Sequence, residues 1–196
     1  MIMKVHKLAA IVAAGWMLTA AQGPMLGESG EAFVRAVRER DGAKVEELLA
    51  TNGLTLINAR DVNGDTALMV TVARRDDTWT AFLLSNGADP NLANRKGDTP
   101  LIAAARIGFL QGAEWLISKK ARVDEANRMG ETPLIAAVQA RQAPLVRYLV
   151  SKGANADKTD NAAGYSARDY AKRDSRNPEL LRLIEAAKKP ATSPRN

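Results

Sequence analysis

The sequence predicts an all-α solenoid of about five helix–turn–helix repeats linked by β-turn fingers, and three observations predict it. A short motif keeps a fixed beat: Gly64-Asp65-Thr66-Ala67-Leu68, Gly97-Asp98-Thr99-Pro100-Leu101 and Gly130-Glu131-Thr132-Pro133-Leu134 recur at steps of 33, and Gly164-Tyr165-Ser166-Ala167-Arg168 comes 34 later. Separate columns keep the same step, among them Phe82, Trp115 and Tyr148, then Leu83, Leu116 and Leu149, then Gly87, Lys120 and Gly153. The chain is 46% hydrophobic but only 5% aromatic, with Ala, Leu and Val prominent. That composition favours short, closely packed helices over strands, which draw on aromatic and β-branched residues. One unit of this length cannot bury its own apolar face, so neighbouring units must stack into one elongated core.

The first element is an address. Met1 to Lys7 carries Lys4 and Lys7 and no acid, Leu8–Leu18 (LAAIVAAGWML) is apolar and uncharged, and Thr19, Ala20 and Ala21 are small. This is the order of a secretory signal peptide. We expect residues 1–21 to be the signal, cut after Ala21, and in a Gram-negative cell the mature protein is then periplasmic. A membrane-crossing helix needs about 20 apolar residues. No stable membrane insertion is therefore expected after cleavage; the alternative is an uncleaved signal anchoring the chain in the inner membrane. Gly23-Pro24 separates the signal from the repeats, and residues 22–28 read as a linker.

The repeats come next, over residues 29–61, 62–95, 96–128, 129–162 and 163–187. Within one period, Thr99 caps a helix that opens at Pro100, where the missing N–H costs nothing. Ala103-Ala104-Ala105 lets the neighbouring repeat approach closely, and Gly108 reverses the chain. A second helix buries Trp115, Leu116 and Ile117, and a turn such as Gly87-Ala88-Asp89-Pro90-Asn91 leads into an extended finger. Recurrence places Trp79, Phe82, Trp115 and Tyr148 in the core. The acids Asp76 and Asp77 read as the start of a helix, where the dipole favours negative charge. Residues 188–196 are polar and Pro-containing, and read as a disordered tail.

GDTPLIAAA and GETPLIAAV resemble the G-x-T-P-L-H-x-A-A of the ankyrin repeat family, and GADPN resembles that family's turn between repeats. The resemblance covers about residues 29–187, strongly over residues 63–162, with divergent first and last repeats of the kind that cap a solenoid. Three departures stand out. Met69, Ile102 and Ile135 replace the family's His; Arg75 and Arg141 stand where it prefers Gly between helices; Lys120 takes another Gly position. A non-Gly residue in a left-handed turn costs roughly 1 kcal/mol or more, so softer or differently shaped loops are expected there. With Gly112 inside a helix as well, the third repeat is the expected weak link.

Composition also limits function. The formal charge is +6, or +4 without Lys4 and Lys7, and Arg and Lys alternate with Asp and Glu rather than forming the stripe a nucleic-acid binder uses. There is no cysteine, and the one histidine, His6, lies in the signal. The mature chain thus lacks the commonest general base and metal ligands. No nucleophile motif or phosphate loop is present. We expect no enzyme, no cofactor, no metal site and no nucleic-acid partner.

The resemblance implies a protein partner bound by the concave side, through the fingers and the first helix of each repeat. The candidate residues are Arg60, Arg95, Lys96, Arg128 and Met129 at the fingertips, with Asp65, Asp98, Glu131 and Tyr165 just after the turn glycines. Arg95, Arg128 and Tyr165 are the expected anchors, since Arg and Tyr concentrate binding energy. Similar exported ankyrin proteins imply a link to oxidative-stress protection; the alternative is a periplasmic immunity-type inhibitor of a toxic enzyme. A monomer is expected, and a self-assembling stack would instead leave an apolar face uncovered at Phe33 or along Leu180 to Ile184.

Overall fold

A computed structural model of the chain describes residues 26–186. The expected signal peptide and tail lie outside the described residues. Five helix pairs succeed one another: α1 (Leu26–Glu39) with α2 (Gly42–Asn52), α3 (Ala67–Ala73) with α4 (Asp77–Ser85), α5 (Pro100–Ile107) with α6 (Leu110–Ser118), α7 (Pro133–Gln139) with α8 (Ala143–Ser151), and α9 (Ala167–Arg173) with α10 (Pro178–Ala186). A 3-10 turn, Gly53–Asn58, extends α2 and reaches α3. The first helix starts at Leu26, so residues 26–28 of the expected linker are helical. The first helices pack α1 on α3, α3 on α5, α5 on α7 and α7 on α9, while α4, α6, α8 and α10 form the second row.

Each repeat after the first starts its first helix the same way. Thr66, Thr99, Thr132 and Ser166 accept hydrogen bonds from the backbone N–H of Met69, Ile102, Ile135 and Asp169. These caps satisfy donors that the helix leaves orphaned. Where the family's His is missing, Met69, Ile102 and Ile135 are all buried, so apolar packing takes its place.

The core runs the length of the stack from Phe33 and Val37 through Leu68, Leu101 and Leu134 to Leu180 and Ile184. In the second row the recurring Leu83, Leu116 and Leu149 are fully buried. The aromatics expected in the core sit otherwise. Trp79, Phe82, Trp115 and Tyr148 are half-buried at the core's edge, because each second-row helix keeps one face toward solvent. Toward the two ends of the described residues Phe33, Leu180 and Ile184 are buried, and Leu181 and Leu183 are half-buried. No helix among the described residues is long and apolar enough to cross a membrane.

The helix–helix turns correct a second expectation. Arg75 and Arg141 do take the left-handed conformation, with φ of 55 and 56°, and Arg40 does so too at 60°. These loops are tied rather than soft. Arg40 Nη2 lies 3.3 Å from Asp76 Oδ2, Arg75 Nη2 donates to Gly108 O at 3.3 Å, and Arg141 Nε donates to Asp174 Oδ2 at 2.6 Å, each reaching the next repeat's turn. Gly112 has its own reason: a Cβ there would meet Phe109 Cδ1 at 2.3 Å, so the missing side chain is the seat of a buried ring. Phe109 therefore offers no surface beside the half-buried Ile107.

Candidate functional site

Four residues at 33-residue spacing, Asp61, Asn94, Asn127 and Asp160, shape the fingers. Asp61 Oδ1 accepts from the N–H of Asn63 and Asp65 at 2.8 and 2.9 Å, Asn94 Oδ1 from Lys96 and Asp98 at 2.9 and 3.1 Å, and Asn127 Oδ1 from Met129 and Glu131 at 2.9 and 3.0 Å. Asp160 Oδ1 does the same for Ala163 and Gly164. A short side-chain acceptor can close a turn in this way. The amide nitrogens then join neighbouring fingers: Asn94 Nδ2 donates to Asp65 Oδ1 at 2.9 Å, and Asn127 Nδ2 to Asp98 Oδ1 at 2.7 Å. Backbone bonds complete the row, from Arg95 N to Asn63 O, Arg128 N to Lys96 O and Asn161 N to Met129 O.

This ladder divides the expected site residues into two groups. Asp65, Asp98 and Glu131 face inward and are occupied. Asp98 is buried and accepts from Arg106 Nη1 and Nη2 at 2.6 and 2.9 Å, and Arg106 also bonds Glu131, which Asn127 Nδ2 reaches at 3.0 Å. Burial works to raise the Asp98 carboxyl, but hydrogen bonds from Arg106 and Asn127 and the charges of Arg106 and Lys96 outweigh it, leaving it below the ordinary carboxylate value. Asp61 behaves alike: burial opposes ionisation, and the bond from Arg38 Nη2 at 2.5 Å, with the N–H groups of Asp65 and Asn63, prevails.

Two further candidates are also occupied. Arg60 is a strut, donating to Gly64 O at 2.9 Å and to Ala93 O in the next finger. Tyr165 is half-buried, edge-on to Tyr170 with ring centres 5.6 Å apart, and the Arg173 guanidinium sits over its ring at 4.6 Å. It closes the last finger rather than standing free as an anchor.

The remaining four do stand out. Arg95, Lys96 and Arg128 are exposed and make no ion pair among the described residues, and Met129 is 57% exposed. Val62, which occupies the Arg95 and Arg128 position one finger earlier, is 60% exposed and carries no mark in the sequence pattern. Nor does Arg106, whose partner Asp98 lies eight residues back on the same repeat. The 33-residue recurrence of Asp61, Asn94, Asn127 and Asp160 is the signal that could have shown which finger groups turn inward.

Of the acids on this face, Asp61 and Asp98 are held ionised by cations and N–H donors. Among the described residues no group of His, Cys, Asp or Glu is arranged to hold a metal ion. A family model for ankyrin repeats, spanning three copies, matches residues 33–125 and again residues 71–162.

Proposed function

The chain belongs to the ankyrin repeat family, whose members are protein–protein interaction modules, and from that premise we propose that it is an exported module that holds a partner protein against its finger and inner-helix face. The supporting observation is the sorting of the fingers. Their acids are consumed in a ladder that fixes the backbone, and Arg95, Lys96, Arg128 and Met129 are left on a rigid edge. A surface already ordered loses little conformational entropy on association, so its contacts are expressed as affinity. Export and a periplasmic location rest on the signal-like order of residues 1–21. A link to oxidative-stress protection and an immunity-type role are finer proposals within this reading, separated by the identity of the partner.

Affinity capture from a native periplasmic extract tests it. The expected result is one protein retained by the wild-type chain and lost by a variant carrying Arg95→Ala, Arg128→Ala and Met129→Ala. Equal retention by both chains moves the site off the fingers. Retention of nothing by the wild type, across growth conditions, removes the proposal.

A further inference from the structure

The fingertip edge has a definite chemical character. Arg95 and Arg128 are held alike: each N–H bonds the preceding finger at 3.3 Å, and each aliphatic stem crosses that finger's glycine. A Cβ at Gly64 would meet Arg95 Cγ at 3.0 Å, and one at Gly97 would meet Arg128 Cγ at 3.0 Å and Arg128 N at 2.7 Å. Glycine at those two positions is what lets the stem lie flat, so each guanidinium is splinted at its base and directed outward. Lys96 stands beside Arg95, and the apolar residues Met129 and Val62 flank the set.

Every acid near this edge is already taken. Asp61 pairs with Arg38, Asp98 and Glu131 with Arg106, and Asp65 accepts from Asn94. Arg38 and Arg106, deeper in the face, are paired with acids where they stand, and Arg95, Lys96 and Arg128 at the tips are in no ion pair among the described residues. On this basis, and resting on the interaction-module reading above, we infer that the fingertip edge takes an acidic, partly apolar protein segment, whose carboxylates meet Arg95, Lys96 and Arg128 and whose apolar side chains cover Met129 and Val62.

A phosphate backbone fits the same edge less well. Nucleic-acid binders extend their cations along a stripe, whereas the next arginines here are already engaged, Arg60 by the Gly64 and Ala93 carbonyls and Arg106 by Asp98 and Glu131. Phosphates would also leave Met129 and Val62 uncovered. Guanidinium groups meet carboxylates in two parallel hydrogen bonds, and a pre-set fork loses less freedom in forming them.

Fluorescence anisotropy of the purified chain distinguishes these cases with three labelled probes: a peptide rich in Glu and Leu, the same peptide with Gln for every Glu, and a single-stranded oligonucleotide of equal length. The Glu peptide should bind in a salt-sensitive way and the Gln peptide at least about tenfold more weakly, as expected when rim charges supply steering and register. Arg95→Glu with Arg128→Glu should abolish Glu-peptide binding, Met129→Ser should weaken it a few-fold, and Arg147→Glu with Arg182→Glu, on the second-row helices, should leave it unchanged. Circular dichroism checks that each variant is folded. Equal binding of the Glu and Gln peptides, tighter binding of the oligonucleotide, equal loss in the Arg147 and Arg182 variant, or no binding of the Glu peptide overturns the inference. Periplasmic capture is scored separately, so a partner held without regard to its acidity leaves the interaction-module reading standing.

Discussion

Arg141 Nε donates to Asp174 Oδ2 at 2.6 Å across 33 residues, from a backbone whose φ is 56°. Arg75 spans the same step to Gly108 O, and Arg40 reaches Asp76. A left-handed arginine is disfavoured by sterics, yet it recurs at the tightest turn of three repeats. In each, the side chain leaves the turn toward the next repeat and ties two turns together. The Arg141 bond also holds the Asp174 carboxyl below its usual value.

The third repeat solves the same turn differently. Gly108 has φ of 70°, and a Cβ there would meet Gln142 Oε1 at 2.2 Å, so the next repeat's side chain occupies the room that a Cβ would need. Gly108→Ala should therefore destabilise by about 1–2 kcal/mol, from a left-handed Cβ and a displaced Gln142. Arg75→Gly should change stability by less than about 1 kcal/mol, because relief of backbone strain offsets a single lost exposed bond. Urea midpoints of the two variants check this; equal losses would mean the arginine contact outweighs the strain.

Arg106 is the one cationic side chain among the described residues in ion pairs with acids of two fingers at once. Replacing it with Met keeps much of its packing but leaves the buried Asp98 without its cation. Breaking a fully buried pair costs several kcal/mol; the Arg106 side chain is 40% exposed, and screening reduces the expected loss to about 1–2 kcal/mol. Adding Asp98→Asn should recover part of it, since the uncompensated charge goes too. Recovery read from a double-mutant cycle confirms the pair; additive losses would show that the two residues act independently.

Gly112 looks like a flaw in a helix and is a fitted contact. Gly→Ala inside a helix ordinarily gains about 0.5–1 kcal/mol, but at this site the added methyl falls 2.3 Å from Phe109 Cδ1. Overpacking costs about 1–3 kcal/mol, so Gly112→Ala should be net destabilising. The same substitution in a Phe109→Leu background should be less harmful, as thermal unfolding of the four chains would show.

The stack itself was legible because its cause is periodic. Caps at Thr66, Thr99 and Thr132 and leucines at 83, 116 and 149 repeat with the structure and sit where spacing put them. The site was half legible. Arg95, Lys96, Arg128 and Met129 lie at the tips as expected, but Asp65, Asp98 and Glu131 occupy equally finger-like positions and are turned inward by partners one repeat away, while the exposed Arg60 is tied to Ala93 O of the next finger. Those partners, 25 to 33 residues distant, cannot be read from local pattern, since the geometry of stacking decides which side chain meets which. The half-buried Trp79 and Trp115 show the same limit: recurrence marks a position as structural without saying how many neighbours cover it.

Acid should unfold the stack through its fingers. Asp61, Asp98 and Asp160 all have folded-state values below the reference of 3.8; for Asp160 the first cause is the bond from Tyr170, whose hydroxyl lies 2.5 Å from Oδ2. A carboxyl depressed in the folded state binds fewer protons there than in the unfolded chain, so its stabilisation is present in full above 3.8 and is lost as pH falls through the lower folded values. The repeats carry no histidine, so no step is expected near neutrality. The urea midpoint should be nearly level from neutral pH to about pH 5 and decline steeply below about pH 4. Asp98→Asn should start lower at neutral pH and decline less steeply, because the group that must take up a proton is gone. A decline as steep as that of the wild type would place the acid sensitivity at the other depressed carboxyls, Asp61, Asp160, Asp169 and Asp174, and outside the Arg106 pair.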